Sequence, residues 1–311
     1  MSQRVEDADV IIVGGGPAGL SAALSLGRAR RRVIVVDAGT PRNMGAAHMH
    51  GVLGHDGLAP LQFLELGRAE VSRYGVQLCH DEISAARANA TGVDVDTRNG
   101  TISGRRLLIA TGLTDELPDI PGMRDQWGRG VVVCPYCDGW EHKDDVIGVI
   151  ATSPHSVEQA QLLRQWSERI VYFPHAAGDP SAEASDALAR RGIRMARGAV
   201  TGLRIDDDEV TGVEVDGRVI AVGVVFTGPT PRPRDALLRS LGAATTDGPL
   251  GSWVDIDEDG RTTVPGVWAV GNVVNVRANV PVSLGLGALV GGALNSDLVH
   301  DDIRNARSSS H

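Results

Sequence analysis

Three cysteines in 311 residues are too few for a disulfide framework, and aromatic residues make up only 4% of the chain. A secreted, cross-linked scaffold is therefore excluded. No run of Lys and Arg is broad enough to track a phosphate backbone, and the formal net charge is −9. Both features argue against a nucleic-acid partner. The one basic cluster, Arg28-Ala29-Arg30-Arg31-Arg32, ends an expected helix, where cations offset the negative pole of the helix dipole. Long apolar stretches are missing near the start. Met1 to Asp7 is polar, and the apolar run after it is far too short for a signal peptide or a spanning helix. That pattern predicts a cytoplasmic protein with no membrane partner. No repeat of solenoid period is visible, and the tail Arg307–His311 reads as disordered.

What is present is glycine in a telling place. The apolar run Ala8-Asp9-Val10-Ile11-Ile12-Val13 leads into Gly14-Gly15-Gly16-Pro17-Ala18-Gly19, then into the helix former Leu20-Ser21-Ala22-Ala23-Leu24-Ser25-Leu26. A second β-branched run, Val33 to Val36, ends on Asp37. Gly14 permits the tight turn, Gly16 lets the backbone approach a pyrophosphate, and Gly19 lets helix and strand pack closely. The pyrophosphate would lie on the helix N-terminus, with Asp37 accepting the ribose hydroxyls.

A second feature is Cys134-Pro135-Tyr136-Cys137-Asp138-Gly139. Two thiols at this spacing close a small disulfide, exchange it with a substrate and carry two electrons. The spacing is also half of a zinc site, but the remaining cysteine, Cys79, has no second pair beside it. In a cytoplasmic chain the redox reading is favoured.

The chain is long enough for two domains. Residues 8–37 form a βαβ unit, followed by a polar loop from Ala38 to Gly57 and a helix from Pro60 to Tyr74. Alternation over 91–98 and 101–110 predicts hairpin strands. A crossing punctuated by Pro118 and Pro121 opens a second βαβ pattern: strand Val146–Thr152, helix Ser156–Trp166 and strand Arg169–Phe173. Further strands are expected at Val210–Val215 and Val219–Phe226, with a break at Gly228–Pro233. A short hairpin, the run Val264–Asn272 and a glycine-spaced helix near 282–299 complete the chain. The layout predicts an α/β protein of two Rossmann-like, doubly wound, three-layer nucleotide-binding domains, one inserted in the other. Residues 1–117 with 246–311 form the discontinuous first domain, and 118–245 form the insert that carries the two cysteines.

With these pieces in place, the chain resembles the low-molecular-weight thioredoxin reductase family of flavoproteins over nearly its whole length. The likeness rests on Gly14–Gly19, the strand end Ala110-Thr111-Gly112, Cys134–Gly139, the run Thr263 to Asn272, and Ser283-Leu284-Gly285-Leu286-Gly287. It implies FAD in the first domain. The cofactor would be held by Gly14, Gly16, Pro17, Ala18, Gly19, Asp37, Ala38, Arg42, Asn43, His50, Ile83, Ala110, Thr111, Gly112, Gly271, Asn272, Asn279 and Val280. Cys137 would face the flavin, Cys134 would form the mixed disulfide with substrate, and Asp138 would act as acid and base. A homodimer and a small-molecule or protein dithiol or disulfide substrate are also implied.

The chain departs from that pattern at the second nucleotide turn. Ala151, Ser153 and Ser156 stand on its glycine positions, and their side chains crowd the turn. Pro174-His175-Ala176-Ala177 stands where the family carries arginines for the NADPH 2′-phosphate. Similar losses occur in a branch resembling the flavin dithiol oxidases of gliotoxin- and holomycin-type natural products. The chain shares with it Arg42-Asn43 and His48-Met49-His50, but keeps Asp138 where that branch commonly has histidine. His50, or His48, is thus an alternative base. Asn272 replaces the family's aspartate and still offers an acceptor oxygen. The expected activity is dithiol oxidation to a disulfide, with oxygen or another acceptor. An NADPH- or ferredoxin-driven disulfide reductase and a flavin-bound redox sensor are the alternatives.

Overall fold

The computed structural model describes residues 6–89 and 92–308. The expected start of the hairpin at 91 and the tail beyond Ser308 lie outside them. The chain divides into two units, one of residues 1–42, 61–114 and 231–311, the other of 43–60 and 115–230.

The first unit is built on β1 (Glu6–Val13), β2 (Val33–Asp37), β3 (Gln77–His80), β4 (Ile83–Ala88), β5 (Val93–Thr97), β6 (Gly100–Ile109) and the late strand β19 (Val267–Ala269). The sheet order is β3-β2-β1-β6-β5-β4. β19 pairs in parallel with the Leu107–Ile109 end of β6, and β5 pairs antiparallel with its beginning. The second half of β1, Val10 to Val13, is apolar without alternation because both sheet faces are covered there; Val10, Ile11 and Ile12 are each 0% exposed. α1 (Pro17–Arg28), α2 (Pro60–Ser72) and α7 (Val280–Ser308) contribute to the core cluster on one face. α6 (Ala236–Ser240) and the hairpin of β17 (Thr245–Gly248) and β18 (Gly251–Val254) contribute to the other. α7 has the length and apolarity of a membrane span, yet its apolar residues are used in packing. Val290, Leu294 and Leu298 are buried beside Ala22 and Leu26 of α1. Gly287 and Gly291 make that approach possible, since a Cβ on Gly287 would stand 2.3 Å from the Ala18 carbonyl oxygen.

The second unit holds a parallel sheet of order β11-β10-β9-β15-β8. Its strands are β8 (Val131–Val132), β9 (Ile147–Ile150), β10 (Ile170–Phe173), β11 (Arg194–Met195) and β15 (Val224–Thr227). α4 (Ser156–Leu163) connects β9 to β10, and α5 (Ala182–Arg190) connects β10 to β11. α5 begins on a Ser181 cap whose hydroxyl accepts from the Ala184 amide at 3.1 Å. A meander of β12 (Val200–Asp206), β13 (Glu209–Val215) and β14 (Arg218–Ala221) packs with Ile120, Met123 and Val131 in one core cluster. The short redox helix α3 (Pro135–Asp138) follows β8. The chain passes between the units on β7 (Leu113–Glu116) and β16 (Thr230–Pro233), which pair with each other.

Several expectations need correction. Residues 231–245 belong to the first unit, not the insert, because Leu238 and Ala243 are buried with Val93 and Val95. Residues 43–60 belong with the second unit, where Gly45 lies close against Trp127 and Gly128. The expected break at Gly228–Pro233 contains β16. The run Val219–Phe226 is two strands in two different sheets, and α7 extends past residue 299 to Ser308.

Candidate functional site

The glycine turn after β1 is shaped by near-contacts. Gly14 has φ +106°, and a Cβ there would meet the Ala110 carbonyl oxygen at 2.4 Å. A Cβ on Gly19 would stand 2.0 Å from the Gly14 carbonyl oxygen. At Gly15, a variable position of the fingerprint, a Cβ would meet the Asp37 side chain, with Oδ2 at 2.8 Å, rather than backbone. Gly16 differs from all three: around its missing Cβ nothing lies within 4 Å. It is also the N-cap of α1, with Pro17 next, no side-chain capping bond and no acid in the first turn. The result is an open, positively polarised helix end that a pyrophosphate fits.

The first unit also holds most of the other expected cofactor residues. Asp37 closes β2, and Arg68 of α2 donates to its Oδ2 at 3.2 Å; the sequence carried no signal for that arginine. Ala38 follows Asp37 directly, and Ile83 opens β4. Ala110 follows β6, its amide donating to the Val13 carbonyl at 2.8 Å. Thr111 Oγ1 donates to the Arg234 carbonyl at 2.7 Å, and Gly112 has φ +73° with open space at its Cβ position. Gly271, at φ +80°, has its Cβ position 2.9 Å from Ala18. Asn279 caps α7, its Oδ1 accepting from the Val282 amide at 3.2 Å, and Val280 begins that helix.

Asn272 is held through both ends of its side-chain amide. Its Nδ2 donates to the carbonyls of Asn275 and Ala278, each at 2.9 Å, and its Oδ1 accepts from Arg42 Nη1 at 3.3 Å. The amide therefore closes the turn before α7, where a carboxylate would face two carbonyl oxygens.

The second unit holds the redox residues. Cys134 and Cys137 form a disulfide with Cα atoms 5.2 Å apart. Pro135 opens the four-residue helix α3, and the amides of Cys137 and Asp138 donate to the Cys134 carbonyl at 3.0 and 3.1 Å. Gly139 is required, since its Cβ would stand 2.4 Å from the Pro135 carbonyl oxygen and 2.9 Å from the Trp166 ring. Trp166 also meets Tyr136 edge-on at 5.4 Å. Tyr136 and Trp140, on either side of Asp138, are 72% and 67% exposed.

Asp138 is pushed up to about 6, chiefly by burial; Glu141 also raises it, while His142 and His50 pull it down. His50 belongs to this unit, as does Asn43. The His50 Nε2 lies 3.4 Å from Glu141 Oε1, and its Nδ1 lies 3.3 Å from Asp56 Oδ2. His48 is exposed and faces the Gly57 carbonyl at 3.0 Å. Glu141 and His142 were missed as site residues, although they follow the motif directly.

The turn after β9 contrasts with the one after β1. Ala151 is 0% and Ser156 3% exposed, so both side chains fill the turn. The Thr152 amide donates to Ser156 Oγ at 3.1 Å, and the Ser156 and Val157 amides donate to the Ser153 and Pro154 carbonyls at 3.0 and 3.2 Å. Glu158 adds a carboxylate to the first turn of α4. An anion would meet engaged amides and a like charge. After β10, His175 sits at φ +40°, and burial pulls its pKa down.

The family model for pyridine nucleotide-disulphide oxidoreductases matches residues 8–287. The crystal structure of HlmI is 43% identical with a TM-score of 0.92, covering 100% of this chain and 98% of that one. The thioredoxin reductase tcpT of Claviceps purpurea is 29% identical over 94% of this chain and 95% of its own length. A probable thioredoxin reductase of Arthroderma benhamiae is 34% identical, but the matched stretch is 53% of this chain and 43% of that protein.

Proposed function

The chain belongs to the pyridine nucleotide-disulphide oxidoreductase family as a thiol-disulfide oxidoreductase of thioredoxin reductase type, and from that premise we propose that it binds FAD and oxidises a dithiol substrate to a disulfide. The family implies FAD, and the residues present fit it. The open helix end at Gly16 would take the pyrophosphate, and Asp37 would take the adenosine ribose. FAD, when bound, supplies a two-electron acceptor for the reduced cysteine pair and a route onward to oxygen or another acceptor.

The chain's own residues account for the thiol chemistry. Asp138 takes the proton from a substrate thiol, and the thiolate attacks Sγ of Cys134. The Cys134–Cys137 bond breaks and Cys137 leaves as the thiolate. The second substrate thiolate then attacks the mixed disulfide, releases Cys134 and closes the substrate disulfide. Two electrons have moved into the cysteine pair. Cys134 and Cys137 are half-buried, on either side of the buried Pro135 and the exposed Tyr136.

One observation carries the direction of flow: the self-satisfied, acid-bearing turn at the start of α4, which is unsuited to a dinucleotide phosphate. The test is anaerobic mixing of the holoprotein with NADPH and separately with dithiols. Flavin bleaching by dithiols, turnover in air and negligible bleaching by NADPH are expected. Rapid, saturable bleaching at micromolar NADPH would replace this reading with a disulfide reductase. A cytoplasmic homodimer is part of the same proposal, to be checked by light scattering and cell fractionation.

A further inference from the structure

The reading above, on which this inference rests, accounts for the reacting thiols and leaves open what holds the remainder of a substrate. A single exposed leucine or tyrosine says little, because much of any protein surface is apolar. Here the most exposed large hydrophobic residues converge. Among the described residues the three most exposed are Leu53 at 101%, Tyr136 at 72% and Trp140 at 67%, and all three belong to the second unit. Tyr136 lies between the two cysteines, and Trp140 comes three residues after Cys137. Leu53 arrives from a separate segment, three residues after His50. The His50 Nε2 lies 3.4 Å from Oε1 of Glu141, the residue after Trp140.

Each of the three is held. Leu53 sits in a closed loop, in which the Gly57 amide donates to the Met49 carbonyl at 2.9 Å and the His55 amide to the Val52 carbonyl at 2.8 Å. The Gly51 amide donates to Asp56 at 2.7 Å. Met49 and Val52 are buried, so the loop is anchored on either side of its base while Leu53 stays out. The Tyr136 ring meets Trp166 edge-on at 5.4 Å, and Lys143 lies over the Trp140 ring at 4.7 Å. Side chains already held in place lose little freedom when a ligand lands on them.

Charge and size define the ligand that fits. Across 43–60 and 133–145 the acids are Asp56, Asp138, Glu141, Asp144 and Asp145, against one lysine, Lys143, and no arginine. Lys143 is itself engaged, by the Trp140 ring and by Asp144 at 3.6 Å. This rim repels a negatively charged ligand. Side chains of this size offer about 150–250 Å² each, less even together than the ~800 Å² that each partner of a stable protein complex buries.

We propose that Leu53, Tyr136 and Trp140 form the specificity surface of the redox site, gripping the apolar body of a small dithiol that is uncharged or cationic and disfavouring anionic ones.

The test uses the oxidised holoprotein, anaerobically, with 1,2-benzenedimethanethiol, dihydrolipoamide, dihydrolipoate and dithiothreitol as probes. Opening of Cys134–Cys137 is followed by alkylation and mass measurement. Each rate is divided by that dithiol's rate with oxidised glutathione, which removes intrinsic thiol reactivity. The aromatic dithiol is expected to exceed dithiothreitol at least about tenfold. Dihydrolipoamide is expected to exceed dihydrolipoate, which has the same carbon skeleton and a carboxylate, by about fivefold at low salt and by less at high salt. Leu53→Ser and Trp140→Ser, both at exposed positions, should each cut the preference for the aromatic dithiol over dithiothreitol about fivefold. Equal normalised rates for all the probes, or preferences unchanged in both variants, would overturn the proposal. So would faster opening by reduced thioredoxin than by any small dithiol, which would assign the surface to a protein partner. A change of oligomeric mass on Leu53→Ser, read by light scattering, would assign it to a second copy and overturn it equally. Exchange is read apart from turnover in air. The expected ranking without aerobic turnover would fail the direction of flow and sustain the surface, and turnover without the ranking would do the reverse.

Discussion

Replacing Asp138 with asparagine should make the protein more stable and nearly inactive, and the pH dependence of the gain identifies the cause. Burial holds the carboxyl at about 6 against an ordinary 3.8. A displacement of about 2 units corresponds to about 3 kcal/mol at 1.36 kcal/mol per unit, and this is a ceiling. The folded-state value is the raised one, so the native protein keeps its proton where the unfolded chain has lost it. Stability from this group is complete below pH 3.8, declines as pH rises to about 6, and is then constant. Asparagine titrates nowhere in this range. The variant should therefore match the parent near pH 4 and exceed it above pH 7, with most of the divergence between. Thermal melts across that range measure it. A stability difference of equal size at pH 4.5 and pH 8 would refute burial of a titrating carboxylate. Dithiol turnover at pH 7.5 should fall by about 10²- to 10⁴-fold, the usual contribution of a positioned proton carrier.

Other substitutions separate the parts of the site. Gly16→Ala meets no atom in the protein, so the apoprotein melt should be unchanged while FAD affinity, read by flavin fluorescence, drops at least tenfold. Gly19→Ala places a Cβ 2.0 Å from a carbonyl oxygen and should instead lower the apoprotein melting temperature, at a cost of about 1–3 kcal/mol. Cys134→Ser should abolish dithiol turnover with flavin content retained; full activity would remove Cys134 as the interchange thiol. Asn272→Asp should destabilise the apoprotein at pH 8 more than at pH 4, because an ionised carboxylate would face the Asn275 and Ala278 carbonyls.

The β1-α1-β2 unit was legible because its three signals coincide: an apolar run of strand length, glycines at a turn, and a helix former closing on a second strand. The second βαβ unit was legible from its two apolar strands and the helix between them, without the glycines. What failed was partner assignment. Val219–Phe226 is one apolar stretch, but Val222 and Gly223 mark the point where the chain leaves the meander for the parallel sheet. The Gly223 amide donates to the Val146 carbonyl at 2.9 Å, and periodicity carries no record of a change of partner. Within the site, Cys134, Cys137 and Asp138 were visible as a motif. The Glu141–His50 contact and the Arg68–Asp37 bond join residues far apart in sequence, so no local pattern announces them. Asn272 was read from its chemistry alone, as an acceptor. Its nitrogen is needed because a folded turn supplies carbonyls to it.

A nucleotide-type unit whose phosphate turn is filled needs a reason to keep its fold, and α4 supplies one. Gln159 Nε2, one turn into that helix, donates to the Val133 carbonyl at 2.8 Å, just ahead of Cys134. Trp166, beyond the other end of α4, packs on Tyr136 and on the backbone at Gly139. The same helix thus holds the chain before and after the disulfide. Strand β9 and strand β10 in turn fix α4 through Ala160 and Leu163, both 0% exposed. The filled turn involves Ala151 and Ser156, whereas Gln159, Ala160, Leu163 and Trp166 lie outside it. The parallel sheet thus supports the redox turn through α4. Trp166→Ala should accordingly slow disulfide exchange by dithiothreitol and shift the Tyr136 environment, while Ser153→Gly, in the filled turn, should leave exchange unchanged. Equal sensitivity of exchange to both substitutions would mean that α4 supports the fold in general and not the redox turn in particular.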